Sequence, residues 1–271
     1  MKDLPNPCSA QRVLDISAVP GADTSSRLVR HRVSFPWSIG RGYRSESNPR
    51  VLTVIPQMAG AGLMAGDRFD HRIGVTSGAH LELAPAGATL VHGSPGRGPA
   101  ISNWCYNIQD HAALLIVPEP HVLMAGADLS LRQAIVTGPS GLFLGAEIIA
   151  VAPGVTDAGF TLETRIQRAD GTPIVEDVQS ASPTLLERLG AKKDRYDCFA
   201  TVLIVGESRV RANFRSAVDR TIEETAPDIF GQAASLRVDA GIGIRLIGTS
   251  AGIVRSAVRR LFDLIAREIV A

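Results

Sequence analysis

Near the end of the chain, Gly248-Thr249-Ser250-Ala251-Gly252 spells G-x-S-x-G. In a serine hydrolase that pattern lifts a nucleophilic hydroxyl on a sharp turn between a strand and a helix. The alternating stretch before it and the amphipathic stretch after it supply that setting. The rest of a triad does not follow in the order that fold uses, because the last histidine of the chain is His121. Ser250 or Thr249 as the N-cap of a final helix is the plainer reading. A hydrolase built on Ser250 stands as one alternative, since triads are defined by geometry and not by chain order, and a β-rich binding module of a multi-protein complex stands as another.

A second group with chemical promise is Gly60-Ala61-Gly62-Leu63-Met64-Ala65-Gly66. It reads G-x-G-x-x-x-G, one residue longer than the dinucleotide fingerprint. That fingerprint also needs a helix after the loop, because the pyrophosphate rests on a helix N-terminus. Here residues 67–75 alternate as a strand does, with Phe69, Ile73 and Val75 on one face and Arg68, Asp70 and Arg72 on the other. No G-x-x-x-x-G-K-[ST] occurs. The glycines therefore predict a bend where backbones approach closely.

The six histidines are His31, His71, His80, His92, His111 and His121, and none forms H-x-x-H or H-E-x-x-H. There is no C-x-x-C, which argues against a closed structural zinc site. His80 and Glu82 share a strand face, expected to be solvated; exchangeable nitrogen and oxygen ligands of this kind suit a metal ion in passage, and imidazole suits nickel. Carboxylates also sit in apolar surroundings. Glu119 lies between two prolines, Glu147 is embedded in LFLGAEIIAV, and Glu176 and Asp177 follow Ile174-Val175. Such groups must be paired, hydrated or functional. Glu147 is either a buried hydrogen-bonding group or a polar station inside the protein.

These side chains need a scaffold, and composition bounds it. The chain has 271 residues, 45% hydrophobic and 20% charged, enough for one large core. With a net charge of +1 and aromatics at 5%, neither nucleic acid nor an anionic membrane surface is favoured as a partner. MKDLPNPCSAQ at the start carries no apolar run and is no secretory signal. No segment has the uninterrupted apolar length of a membrane helix. Cys8, Cys105 and Cys198 are odd in number and widely spaced, so they do not read as a disulfide framework. A reducing, cytoplasmic setting is the default expectation.

A first strand is expected at 27–34 and a short β-branched run at 51–55, period-two alternation recurs at 129–136, 160–168 and 242–246, and compact apolar runs stand at 112–117, 142–151 and 199–205. Turn signals punctuate them at Ser77-Gly78, Gly138-Pro139, Pro153-Gly154 and Asp170-Gly171. This predicts an all-β body, with the strands on either side of Ser77-Gly78 forming a hairpin. Two helices stand out, 215–225 and 251–270. In the second, Val254, Val258, Leu261, Ile265 and Ile269 make one stripe, expected to cover the protein's own sheet. Residues 1–26 read as loosely ordered, no strict repeat is visible, and no domain boundary interrupts 1–271.

Taken in order, GAGLMAGDRFDHRIGVTSGAHLELAPAGATLVHGS, LLIVPEPHVLMAGADLSLRQAIV, GLFLGAEIIAVAPG, RIQRADGTPIVED and GIGIRLIGTSAGIVRSAVRRLFDLIAREI resemble the urease accessory protein UreD family, called UreH in some organisms. The resemblance runs over about residues 27–270, and its strength lies in the order of the segments. Ala59 stands where the first of two paired glycines is usual in that family. The resemblance implies a non-enzymatic, mainly β fold, a many-stranded β-helix-like or sandwich-like body with two α-helices, one of them C-terminal. It implies a cytoplasmic hetero-oligomer with UreF and the nickel-binding GTPase UreG that delivers nickel to apo-urease, with no stably bound cofactor. It also implies a polar path through the body for nickel in transit, with Asp67, Glu119, Glu147, Glu176 and Asp177 as its stations by family position.

Overall fold

Strands that alternate apolar and polar residues bury one face and wet the other, and they need neighbours on both edges. A computed structural model describes residues 12–22, 25–45, 48–190, 196–206, 211–225 and 228–270 of this chain. It opens with β1 (Arg12–Pro20), β2 (Ser26–Val33), β3 (Trp37–Ile39), β4 (Tyr43–Ser45), β5 (Asn48–Val54) and β6 (Pro56–Met58). Coiling begins with β7 (Leu63–Met64), β8 (Arg68–Val75), β9 (His80–Leu83) and β10 (Thr89–His92). It continues through β11 (Ala100–Ile108), β12 (Ala113–Ile116), β13 (Pro120–Leu123), β14 (Asp128–Thr137), β15 (Leu142–Val151) and β16 (Gly159–Arg168). Then come β17 (Pro173–Ala181), α1 (Pro183–Gly190), β18 (Cys198–Val205), α2 (Arg211–Thr225), β19 (Ile229–Ser235), β20 (Gly241–Gly248) and α3 (Ala251–Val270).

The architecture is mainly β and solenoid-like. One sheet runs β17-β16-β14-β11-β8-β1-β2, and the facing one runs β19-β20-β18-β15-β12-β9-β5-β4, with β7, β10 and β13 attached beside β15. The strands β8, β11, β14 and β16 pair in parallel and begin about 30 residues apart, at Arg68, Ala100, Asp128 and Gly159. Between them the chain crosses the opposite wall through β9 and β10, through β12 and β13, and through β15, again in parallel register. Each turn of this coil therefore stacks its side chains on those of the turn before.

Ser77-Gly78 accordingly joins two walls of the coil and is not a hairpin turn: β8 and β9 belong to different sheets. Alternation on both sides of a turn looks the same in a hairpin and at a coil corner. What differs is the partner strand, which lies one coil away in sequence. The start of the chain also departs from expectation. Residues 12–20, expected to be loosely ordered, form β1, which lies between β2 and β8 with Leu14, Ile16 and Ala18 fully buried. Residues 1–11 lie outside the described residues. Cys105, not expected in a disulfide, is disulfide-bonded, whereas Cys198 is a buried free thiol.

Among the described residues there are three α-helices, not two. The extra one, α1, follows Ser182-Pro183, where Ser182 Oγ accepts the Leu185 amide at 3.3 Å and the proline takes the first helical position. Helix α2 begins four residues before the expected 215. Helix α3 has the expected bounds and lies on β15, β18 and β20, burying Val254, Val258, Leu261, Phe262 and Ile265. Each such side chain contributes roughly 1.5–3 kcal/mol. The exposed Arg259–Asp263 pair at 3.7 Å adds at most a few tenths, so packing is what holds the helix.

Gly62 shows why the glycine loop is there. Its φ is +121°, and a Cβ would stand 2.1 Å from the Leu90 carbonyl oxygen. The loop feeds β7 and β8, both strands, and not a helix that could cradle a phosphate.

Candidate functional site

Parallel coiling puts equivalent inward positions in line. On β14 the buried inward phase is Leu129, Leu131, Gln133 and Ile135, and on β16 it is Phe160, Leu162, Thr164 and Ile166. One row of one sheet therefore reads His71, Trp104, Gln133, Thr164, Asp177, each residue paired in register with the next. In the facing sheet another row reads Glu147, Thr201, Arg245, Gln232. Hydrogen bonds join the two rows across the interior. Gln133 Nε2 donates to Glu147 Oε1, Gln179 Nε2 donates to Thr201 Oγ1 at 2.8 Å and to Asp177 Oδ2 at 2.7 Å, and Arg245 donates to Asp177. The result is a lane of polar side chains through an apolar body. It runs from Glu147 to Arg245, whose side chain is 63% exposed.

The lane widens at the Glu147 end. A cavity of about 360 Å³ is lined by Glu119, His121, Glu147, Trp37, Trp104 and Tyr106 and rimmed by the small residues of 60–62 and 86–88. A smaller space of about 10 Å³, the size of one water, lies among Gln133, Glu147, Thr164 and Thr201.

Burial sets the charge states here. Glu147 is pushed up to about 7 by desolvation, against the pull of the hydrogen bond from Gln133. His121 is pushed down to about 4 by the same cause. Its Nδ1 lies 3.7 Å from Glu147 Oε2, the geometry of an ion pair but too long for a hydrogen bond. Because burial moves both groups toward their neutral forms, the contact between pH 4 and 7 joins a neutral imidazole to a carboxylic acid.

The five carboxylates named from the sequence separate. Glu119 and Glu147 meet at the large cavity, where Glu119 is clamped by Arg255, Nε to Oε2 at 2.9 Å and Nη2 to Oε1. Asp177 stands at the far end of the lane, bound by Arg245 and Gln179. Asp67 is away from both ends. Its Oδ2 accepts the Met64 amide at 2.8 Å and holds a turn. Glu176 faces outward and pairs with Arg165 at 3.3 Å. Among the described residues no three His, Cys, Asp or Glu side chains gather into a metal-binding group. The lane can offer successive oxygen and nitrogen contacts to a cation, but no closed coordination shell.

His121, Gln133, Thr164, Thr201, Gln179 and Arg245 are the lane residues the sequence reading missed. Gln133 and Thr164 did carry a signal, each being a polar residue on the apolar phase of an alternating strand. The same phase argument fails for Asp70, expected outward with Arg68 and Arg72. It is 1% exposed and accepts from Asn103 Nδ2 at 2.6 Å, on a patch of the outer face that other residues cover. His80 and Glu82 are half-buried, not freely solvated, and Glu82 accepts from Thr53 at 3.1 Å. Ser250 is a cap: its Oγ accepts the Ile253 amide at 3.3 Å, and among the described residues no histidine is hydrogen-bonded to it.

No helix among the described residues is long and apolar enough to cross a membrane. The chain is similar to a urease accessory protein UreD 1 of Bradyrhizobium sp. strain BTAi1, 28% identical over 96% of this chain and 93% of that protein. It is also similar to a urease accessory protein UreD 3 of Bradyrhizobium sp. strain ORS 278, at 26% identity over 96% and 93%. A urease accessory protein UreD of Mycolicibacterium smegmatis matches at 24% over 86% and 83%. The family model of the UreD urease accessory protein matches residues 10–271, and the chain belongs to that family.

Proposed function

We propose that this chain is a non-enzymatic scaffold for urease maturation, working in the cytoplasm with UreF and the GTPase UreG. In that complex it helps deliver nickel to apo-urease, and its polar lane is the route. The observation that carries this reading is the cross-strand row from Glu147 through Thr201 to Arg245, facing Gln133, Thr164 and Asp177 inside an apolar coil. Burying that many polar groups has a cost that hydrophobic residues would not incur. Transit explains them, because a cation moving between stations needs weak, exchangeable contacts. Membership of the family, and the names of the relatives, support urease as the client.

The role of each group follows from its place. Glu147 presents an oxygen ligand at the wide mouth, Glu119 a second one on displacement from Arg255, and His121 adds an imidazole Nδ1 without a hydrogen bond. Gln133, Thr164 and Thr201 carry carbonyl and hydroxyl oxygens through the narrow part. Asp177 receives the cation at the other end, with Arg245 as a displaceable partner.

The test is co-expression of this chain with UreF, UreG and apo-urease, followed by metal analysis of the purified urease. Omitting this chain should leave the urease low in nickel. Full nickel content without it would refute the reading.

A further inference from the structure

The wide mouth of the lane has a second character that transit does not require. It is walled in part by aromatic rings. Both tryptophans of the chain, Trp37 and Trp104, line it together with Tyr106. Trp37 meets Trp104 nearly at a right angle, 76° with centroids 6.0 Å apart. Trp104 and Tyr106 lie nearly parallel, 9° at 5.9 Å. Three rings thus form a corner. His71 fixes the arrangement from behind, its ring centroid 3.9 Å from that of Trp104 and 5.3 Å from that of Trp37.

Charge adds to this. Among the described residues no lysine or arginine lines the cavity, while two carboxyl groups do. Glu119 is already matched by the two donors of Arg255. Glu147 holds only the amide of Gln133 and the 3.7 Å approach of His121, so it is the acidic group left to meet a guest. A corner of aromatic faces beside one carboxyl attracts a soft, poorly hydrated cation, because the ring quadrupoles and the carboxyl act on the same charge. A hydrated divalent ion gains little from rings, and no three-ligand cluster exists for one among the described residues. At about 360 Å³ the space suits a small organic molecule. The rim of Gly60, Ala61 and Gly62 with Ala86, Gly87 and Ala88 leaves its entrance wide.

We propose that this cavity binds an organic monocation of the guanidinium or quaternary ammonium type, held by the faces of Trp37, Trp104 and Tyr106 and by the carboxyl group of Glu147. The proposal does not rest on nickel transit and stands if the chain carries no nickel. The cation is either a free small molecule or the side chain of another protein. Both present the same chemistry to the site.

Tryptophan fluorescence reads this cavity directly, because both fluorophores are on its wall. The purified chain at pH 8 is titrated with choline, with methylguanidinium, and with 3,3-dimethylbutan-1-ol, a neutral counterpart of choline. Choline or methylguanidinium should give a saturable change, with the neutral alcohol weaker by about tenfold. Glu147→Gln and Trp104→Leu should each weaken binding several-fold, with folding checked by circular dichroism. An equal response to the alcohol, or no saturation by either cation up to about 50 mM, would overturn the proposal. The wild-type comparison of charged and neutral ligands decides the matter even if a variant fails to fold. A capped Gly-Arg-Gly peptide separates the sources: competition with methylguanidinium assigns the site to a protein side chain, and its absence assigns it to a free cation.

Discussion

Gln133 on one sheet donates its side-chain amide to Glu147 on the other, and this bond crosses the interior of the coil. Neither residue would be placed there by hydrophobic patterning alone. Gln133 sits between Leu131 and Ile135 on the buried phase of its strand, and Glu147 sits in a run of apolar residues. Each satisfies the other where water is scarce. Glu147 lines both the wide cavity and the small space beyond it, which Gln133 lines as well.

Ser250→Ala should lower stability by about 1 kcal/mol, the usual cost of losing a serine N-cap, and change nothing else. Urea denaturation measures the first effect. A fluorophosphonate probe measures the second, and it should leave the wild-type protein unlabelled. Labelling at Ser250 would restore the hydrolase alternative and contradict the capping role seen at Ile253.

Arg255→Ala should cost about 1–2 kcal/mol. The guanidinium side chain is 46% exposed, which discounts the ion pair, but Glu119 is only 10% exposed and would lose both of its donors. In a Glu119→Gln background the same substitution should cost clearly less. Equal costs in both backgrounds would mean that the clamp between α3 and the coil does not contribute as a pair.

His71→Phe should flatten the acid limb of stability. The folded pKa of His71 is depressed to about 3 and that of His121 to about 4, both by burial, from an unfolded value of 6.5. Each histidine therefore binds its proton more weakly when folded. The resulting loss is absent above pH 6.5 and grows as pH falls toward the folded value. Glu147, raised to about 7 from 4.5, has the opposite sign and stabilises the fold as pH falls between those values. Two histidines against one carboxyl leave a net loss between pH 6.5 and 4.5. Removing His71 should reduce the slope there by about 1.4 kcal/mol per pH unit. Denaturant midpoints at several pH values check this, and an unchanged slope would contradict it. Phenylalanine fits because both ring nitrogens of His71 lack hydrogen bonds and the ring packs on Trp104.

Much of the scaffold is legible in the sequence because its strands alternate. Residues 160–168 and 142–151 are strands where expected, and α3 runs over 251–270 as its apolar stripe predicts. The coil itself is not legible, because Ser77-Gly78 looks locally like a hairpin and only the pairing of β8 with β11 shows otherwise. For β1 the alternation of Leu14, Ile16 and Ala18 is present, but the prolines and polar residues that precede it carry the pattern of a loose segment. Of the candidate stations, Glu119, Glu147 and Asp177 fall on the cavity and lane, whereas Asp67 and Glu176 do not. Conspicuous acids are easy to name from sequence. The neutral groups between them depend on register across sheets, which residue types do not encode.

The polar lane, as proposed, serves delivery of nickel to urease. Thr164→Val with Thr201→Val tests it most directly. The two changes remove both hydroxyls from the narrow space and keep nearly the same side-chain volume, for about 1–2 kcal/mol of stability. The measurement is the nickel content of urease purified after co-expression with this variant, UreF and UreG, with complex formation confirmed by co-purification. An intact complex, and urease several-fold poorer in nickel than with the unaltered chain, is the expected result. Urease fully loaded by the double variant would contradict it.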